Sequence, residues 1–192
     1  MDQVATPCEE PMMGSSQLTL QQIVQISGFV SQYITAQRDK FLGRCVPLTR
    51  EQRVAMDGFF SSHLLDGVRV IKLDGFRVAN PSFYPMLVEM GFTNLPDFSQ
   101  MAAITFSDVV VSHVPFTNGL LFHELVHVEQ YRQLGIPRFS ELYVDGFHTG
   151  GGYDGIPLEV HAYALGSRFE ANPRQRFLVA DEVANCIREC RY

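Results

Sequence analysis

A mostly helical α+β domain, with a small β-sheet leading directly into one central helix, is what three features of this 192-residue sequence predict. The first is the run from Thr117 to Gly135, T-N-G-L-L-F-H-E-L-V-H-V-E-Q-Y-R-Q-L-G. Thr117 or Asn118 can cap its start, Gly135 can close its end, and no proline interrupts it. The second is a pair of capping-box patterns, Thr19-Leu20-Gln21-Gln22 and Thr49-Arg50-Glu51-Gln52, each ahead of apolar residues at helical spacing. The third is a β-rich stretch, A-A-I-T-F-S-D-V-V-V-S, that ends just before the central helix.

In chain order, residues 1–17 mix Pro, Gly, Ser, Met and acidic residues without period and read as a flexible tail. Residues 18–192 read as one domain. Within it, residues 18–66 are expected to form an antiparallel helix pair, the first helix reaching about Phe41 and the second about Leu65. Val68 to Leu73 reads as a strand between Gly67 and Asp74-Gly75. A short helix is expected around Tyr84 to Met90, within a stretch otherwise broken by Pro and Gly. Ser107-Asp108 splits the β-rich stretch as a hairpin turn or bulge. After Gly135 the expectation is a Gly/Tyr/His-rich loop, then a helix from Pro157 to about Phe169. A last helix is expected to open at Asn172-Pro173, with Phe177, Ala180, Val183, Ala184 and Ile187 facing inward.

Composition narrows the function classes. The formal net charge is −6 and no Lys/Arg-rich run exists, so neither nucleic acid nor an anionic membrane is expected as the main partner. No apolar run approaches the length of a membrane span. The first residues carry Asp2, Glu9 and Glu10 and lack an apolar core, so no secretory signal is read there, and a cytoplasmic location is expected, with export by a non-classical route left open. Four cysteines (Cys8, Cys45, Cys186, Cys190) are too few and too scattered for a disulfide framework, and Cys186 and Cys190 read as half-buried thiols rather than a metal pair.

The chemistry sits in the central helix. His123-Glu124-Leu125-Val126-His127 is an H-E-x-x-H motif. Histidines four apart lie on one helix face, about one turn from each other, so both imidazoles can reach one metal ion. Glu124 lies beside that face, where a carboxylate can take a proton from water activated by the metal. Leu120, Leu121, Phe122, Leu125, Val126 and Val128 make the helix apolar nearly all round, as in a buried helix. Burying two imidazoles and a carboxylate within five residues of such a helix is costly unless something binds them.

Two histidines leave a catalytic zinc one protein ligand short. A third histidine six residues after the second is ruled out, because Gln133 stands there and Gln130 stands where the intervening glycine would be. Glu159, in the first turn of the helix that begins at Pro157, is the favoured third ligand, since an antiparallel neighbour could aim it at the same ion. His161, His148 and Glu141 are the other candidates. His161 lies about 200° round the helix from Glu159, so only one of the two can face the metal.

The segments F-H-E-L-V-H-V-E-Q-Y-R-Q-L-G and G-Y-D-G-I-P-L-E-V-H-A-Y-A-L-G resemble the small bacterial gluzincin-type metallopeptidases, in particular the core domain associated with extracellular contractile injection systems. The preceding A-I-T-F-S-D-V-V-V also fits, although a Gly-Asn pair is usual in that family where Ser107-Asp108 stands here. The resemblance covers roughly residues 100 to 170 and not the first hundred. It implies a minimal zincin-like fold, Zn2+ held by His123, His127 and Glu159, and Glu124 as the catalytic carboxylate.

The expected activity is therefore zinc-dependent hydrolysis of a peptide or protein substrate, with Glu124 as general base. Tyr153 and His148 rank first as donors to the transition-state oxyanion, ahead of Tyr163 and His161. A substrate strand could add to the sheet edge between Ile104 and Val111. The competing expectation is a metal-stabilised binding or structural module, or an effector component of a larger assembly, with the N-terminal helices as the surface for a protein partner.

Overall fold

Thr19 and Thr49 cap helices in the manner their patterns predict. In each, the threonine hydroxyl accepts from the backbone N–H of the glutamine three residues on, and that glutamine's side chain accepts from the threonine N–H. The computed structural model describes residues 18–192, and the tail expected over residues 1–17 lies outside them. The elements are, in order, α1 (Leu20–Leu42), α2 (Arg50–Met56), α3 (Ser62–Gly67), β1 (Arg69–Lys72), α4 (Tyr84–Glu89), β2 (Ala103–Phe106), β3 (Val109–Ser112), α5 (Asn118–Thr149), α6 (Pro157–Ala171) and α7 (Val179–Arg188). The domain is mixed α+β, mostly helical, with one three-stranded sheet among the described residues.

The sheet has the order β1-β3-β2. β3 is its centre, parallel to β1 with Val70 opposite Val110, and antiparallel to β2 with Thr105 opposite Val110. Every residue of β3 is buried, as a central strand covered on both faces requires. Ser107 takes a left-handed conformation (φ 61) at the β2–β3 turn, and Asp108 beside it accepts two hydrogen bonds from the Arg38 guanidinium of α1, at 2.5 and 2.9 Å. That pair ties the long N-terminal helix to the hairpin. Among the described residues β2 is the edge strand that packs against α5, and β3 is covered on both sides by its neighbours.

α5 and α6 run antiparallel. Phe122 stacks on Phe169 (centroids 4.4 Å apart) near one end, and Gln130 donates to the Leu158 carbonyl near the other. Phe122 also meets Phe59 and Phe60 edge-on at 5.4 and 5.2 Å, which makes this ring the hub of one half of the core. Truncating it to alanine is worth about 3–5 kcal/mol of stability.

Four expectations are corrected. The second capped helix stops at Met56, because Gly58 (φ 76) turns the chain left-handed before Ser61 caps α3. Past the turn, the consecutive Phe59 and Phe60 both enter the core. The antiparallel helix pair is also absent: α1 packs against α5 and the hairpin rather than against α2. Residues 136–149, expected as loop, form the second arm of α5. Gly135 (φ 71, ψ 161) breaks the first arm where expected, and Pro137 then sits in the opening turn of a new helical run that buries Phe139, Leu142 and Phe147. Finally, the last helix starts at Val179 rather than at Pro173, and its buried face is Val179, Val183 and Cys186. The residues before it carry the Phe177 ring to Phe59 and Phe122.

Candidate metal centre

The first arm of α5 brings His123 and His127 onto one face, and the antiparallel α6 presents Glu159 from its first turn. Their potential donor atoms converge. His123 Nε2 and His127 Nε2 are 3.1 Å apart, and Glu159 Oε2 stands 3.3 Å from His127 Nε2 and 3.5 Å from His123 Nε2. Zinc bonds of about 2.0–2.2 Å in tetrahedral array place ligand atoms about 3.3–3.6 Å apart, close to this triangle. Glu159 Oε2 is buried and makes no hydrogen bond, an unusual state for a carboxylate oxygen and the one expected of a ligand lacking its ion. Two imidazole nitrogens and a carboxylate oxygen are a donor set suited to Zn2+.

Two residues that the sequence reading did not assign to the site orient its members. Gln130 is fully buried, three residues after His127 and so on the same face. Its amide nitrogen donates to the Leu158 carbonyl at 3.0 Å, so its oxygen must be the atom facing His127 Nδ1, 2.8 Å away. Nδ1 therefore carries a proton, and the Nε2 lone pair is left for a metal. Thr105, on β2, donates from its hydroxyl to Glu124 Oε2 at 2.7 Å and fixes the carboxylate beside the donor triangle. The spacing to His127 was a readable signal for Gln130. Nothing local marks Thr105, whose role depends on how the sheet edge meets the helix.

The charges reinforce one another. Burial pushes the Glu124 carboxyl above its usual pKa, an effect that His127, His123 and the Thr105 hydrogen bond only partly offset. A raised value suits a base that must accept a proton and give it up again. For His127, burial alone would lower the pKa, but the Glu159 charge prevails and raises it to about 9. Glu159 is the mirror case: burial would raise its carboxyl, and the imidazole charges hold it well below the ordinary carboxylate range.

The remaining expected residues divide. Tyr153 lies in a one-turn 3-10 helix, Tyr153–Gly155, between the ligand-bearing helices, and lines the cavity shared with His123, Glu124 and Glu159. Its hydroxyl is held protonated, first by burial and then by the Glu159 charge. The loop reaches this position because Gly150 and Gly155 pack backbone against backbone, leaving no room for a Cβ on either. Tyr163 places its ring 4.5 Å from that of His123, at the outer mouth. His148 is not brought to the centre, which corrects its expected catalytic role. It lies at the end of the second arm of α5, where its Nε2 accepts from the Leu18 N–H at 3.1 Å and its ring sits by Phe92, and it is not itself among the residues lining the central cavity. His161 points to the opposite side of α6, bonding Tyr192 through Nδ1 at 2.6 Å. Glu141 pairs with Arg138 at 2.9 Å on the surface.

The described residues include no helix long and apolar enough to cross a membrane. Comparison with family models, curated proteins and solved structures finds no match to this chain, so the resemblance to gluzincin-type peptidases rests on its residues and motifs.

Proposed function

We propose that this protein is a zinc-dependent peptidase of zincin-like fold, cleaving peptide bonds with Glu124 as general base. The observation that carries the reading is the convergence of three donors on a point flanked by a carboxylate that is not itself a donor. Zinc, when bound, supplies a Lewis acid for the scissile carbonyl and lowers the pKa of water to near neutrality. Glu124, steadied by Thr105, takes the proton released from that water and passes it to the leaving amine. Tyr153, kept protonated by its surroundings, donates to the oxyanion that forms on the substrate carbonyl. A substrate in extended form has the open edge of β2 to pair with, adjacent to the mouth lined by Ala103, Leu120 and Tyr163. The absence of a fourth converging protein donor among the described residues favours an enzyme over a closed structural site.

The test is Glu124→Gln, with zinc content and hydrolysis of a peptide library measured in parallel. The expected outcome is one zinc per chain retained and kcat reduced by a factor of about 10³ or more, comparable to other losses of an essential base. Unchanged hydrolysis would remove Glu124 from the mechanism.

A further inference from the structure

The donor triangle is the mouth of a cavity that continues inward, and the character of that cavity bears on the substrate. Its first wall holds His123, Glu124, His127 and Glu159. Beyond them it is bounded by α1, by the segment from Pro81 to Phe98, and by the second arm of α5, through side chains such as Ile26, Val30, Leu87, Leu95, Val144 and Phe147. Of the five tyrosines on the wall, Tyr33 has its hydroxyl engaged with the Ala79 carbonyl at 2.9 Å and Tyr84 with the Pro96 carbonyl at 3.0 Å, while Tyr131, Tyr143 and Tyr153 contribute neutral phenols. No Lys, Arg or Asp lines it, and its only His and Glu residues are the four at the mouth.

We propose that this cavity receives one large apolar side chain of the substrate, of the leucine, methionine or phenylalanine class, on a residue adjoining the scissile bond. The inference rests on the peptidase reading above. A charged side chain entering here would be stripped of water with no countercharge beyond the donor triangle to replace it, whereas an apolar one exchanges water for hydrocarbon. The volume of about 110 Å³ sets the size of the guest. It is of the order of the apolar cavities of about 150 Å³ that take up benzene, so it holds a single side chain and excludes a long acyl chain. Continuity with the donor triangle places the guest next to the bond that is cut. Two of the three segments that build the inner walls, α1 and residues 81–98, lie before the motif region, so the pocket's shape is set in part by chain outside the gluzincin-like stretch.

The test uses the zinc-loaded protein and a peptide set in which one position at a time is Ala, Leu, Met, Phe, Lys or Glu, with cleavage sites mapped by mass spectrometry. At one position flanking the cut, Leu, Met or Phe should exceed Ala in kcat/KM by at least about tenfold, since each methylene in an apolar pocket discriminates by about 10–200-fold, and Lys and Glu should fall below Ala. Val30→Phe and Leu95→Phe, made separately on two different walls, should reverse that ratio toward Ala in whichever variant keeps the wild-type circular dichroism. A second readout needs no turnover: isobutylbenzene should bind metal-free Glu124→Gln protein by ligand-observed NMR and fail to bind when either filling change is added. Cleavage with no side-chain preference, or a preference that neither filling variant moves, overturns the cavity assignment and leaves the peptidase standing. Probe binding with no cleavage of any peptide refutes the peptidase reading and takes the substrate assignment with it.

Discussion

Glu159 and His161 stand two residues apart on α6, yet they belong to clusters of opposite kinds. On one side of the helix, Glu159 Oε2 faces two imidazole nitrogens at 3.3 and 3.5 Å and has no hydrogen-bond partner, so only their charges offset its burial. On the other, His161 has both ring nitrogens engaged, Nδ1 with the Tyr192 hydroxyl at 2.6 Å and Nε2 with Cys186 Sγ at 3.5 Å. A cluster whose groups satisfy one another is a structural device, whereas one whose donors converge and stay unsatisfied is waiting for a ligand. The two are joined only loosely, by Gln130, whose amide nitrogen is 3.4 Å from the Tyr192 hydroxyl while its oxygen orients His127.

The sharpest way to break this contrast is to replace Gln130, which serves the first cluster, and His161, which anchors the second. Gln130→Leu should weaken zinc binding by about 10–100-fold, the usual penalty for losing the group that orients a metal-bound imidazole. His161→Gln should leave zinc affinity within a factor of about three while lowering the denaturation midpoint. Competition titration against a chromophoric chelator, with urea unfolding alongside, measures both. Equal losses of affinity would mean that the clusters act as one unit.

A smaller effect separates the clusters by pH. In the metal-free protein the His127 pKa is raised to about 9, so the stability tied to its protonated form is complete below about pH 6.5 and is lost as pH rises through 9. That loss is on the order of a few kcal/mol. His161 is shifted the other way, chiefly by burial, so its contribution is present above the unfolded value and is lost as pH falls below it. Urea unfolding of chelator-treated protein should therefore show stability declining between pH 6.5 and 9, and the alkaline decline should vanish in His127→Gln but persist in His161→Gln. Zinc should also suppress it, because a metal-bound His127 is neutral at Nε2 throughout.

The elements that the sequence disclosed were those whose signals are local. Both threonine capping boxes, the first arm of α5 with its stop at Gly135, the strand around Val70 and the helix opening at Pro157 are written in neighbouring residues, and so are the histidine spacing and the first-turn position of Glu159. What escaped was decided by distant partners. The glycines and aromatics after Gly135 look like a loop, yet the second arm forms because Phe139, Leu142 and Phe147 find a core built from α1 and the segment before the hairpin. The second capped helix stops at Met56, where Gly58 turns the chain, and the Phe122 hub beyond the turn takes the rings of both Phe59 and Phe60. His148 looked equivalent to Tyr153 while both were placed on one loop. Once helix continues to Thr149, the same chain places the imidazole beside Leu18 and the phenol in the cavity shared with Glu124 and Glu159.

Metal content of wild type beside Glu159→Ala and His161→Ala is the most direct measurement. After exposure to excess zinc and gel filtration, elemental analysis should find about one zinc per chain in wild type and His161→Ala, and well under half of that in Glu159→Ala. Equal zinc in wild type and Glu159→Ala would contradict the convergence of two histidines and this glutamate on a single ion.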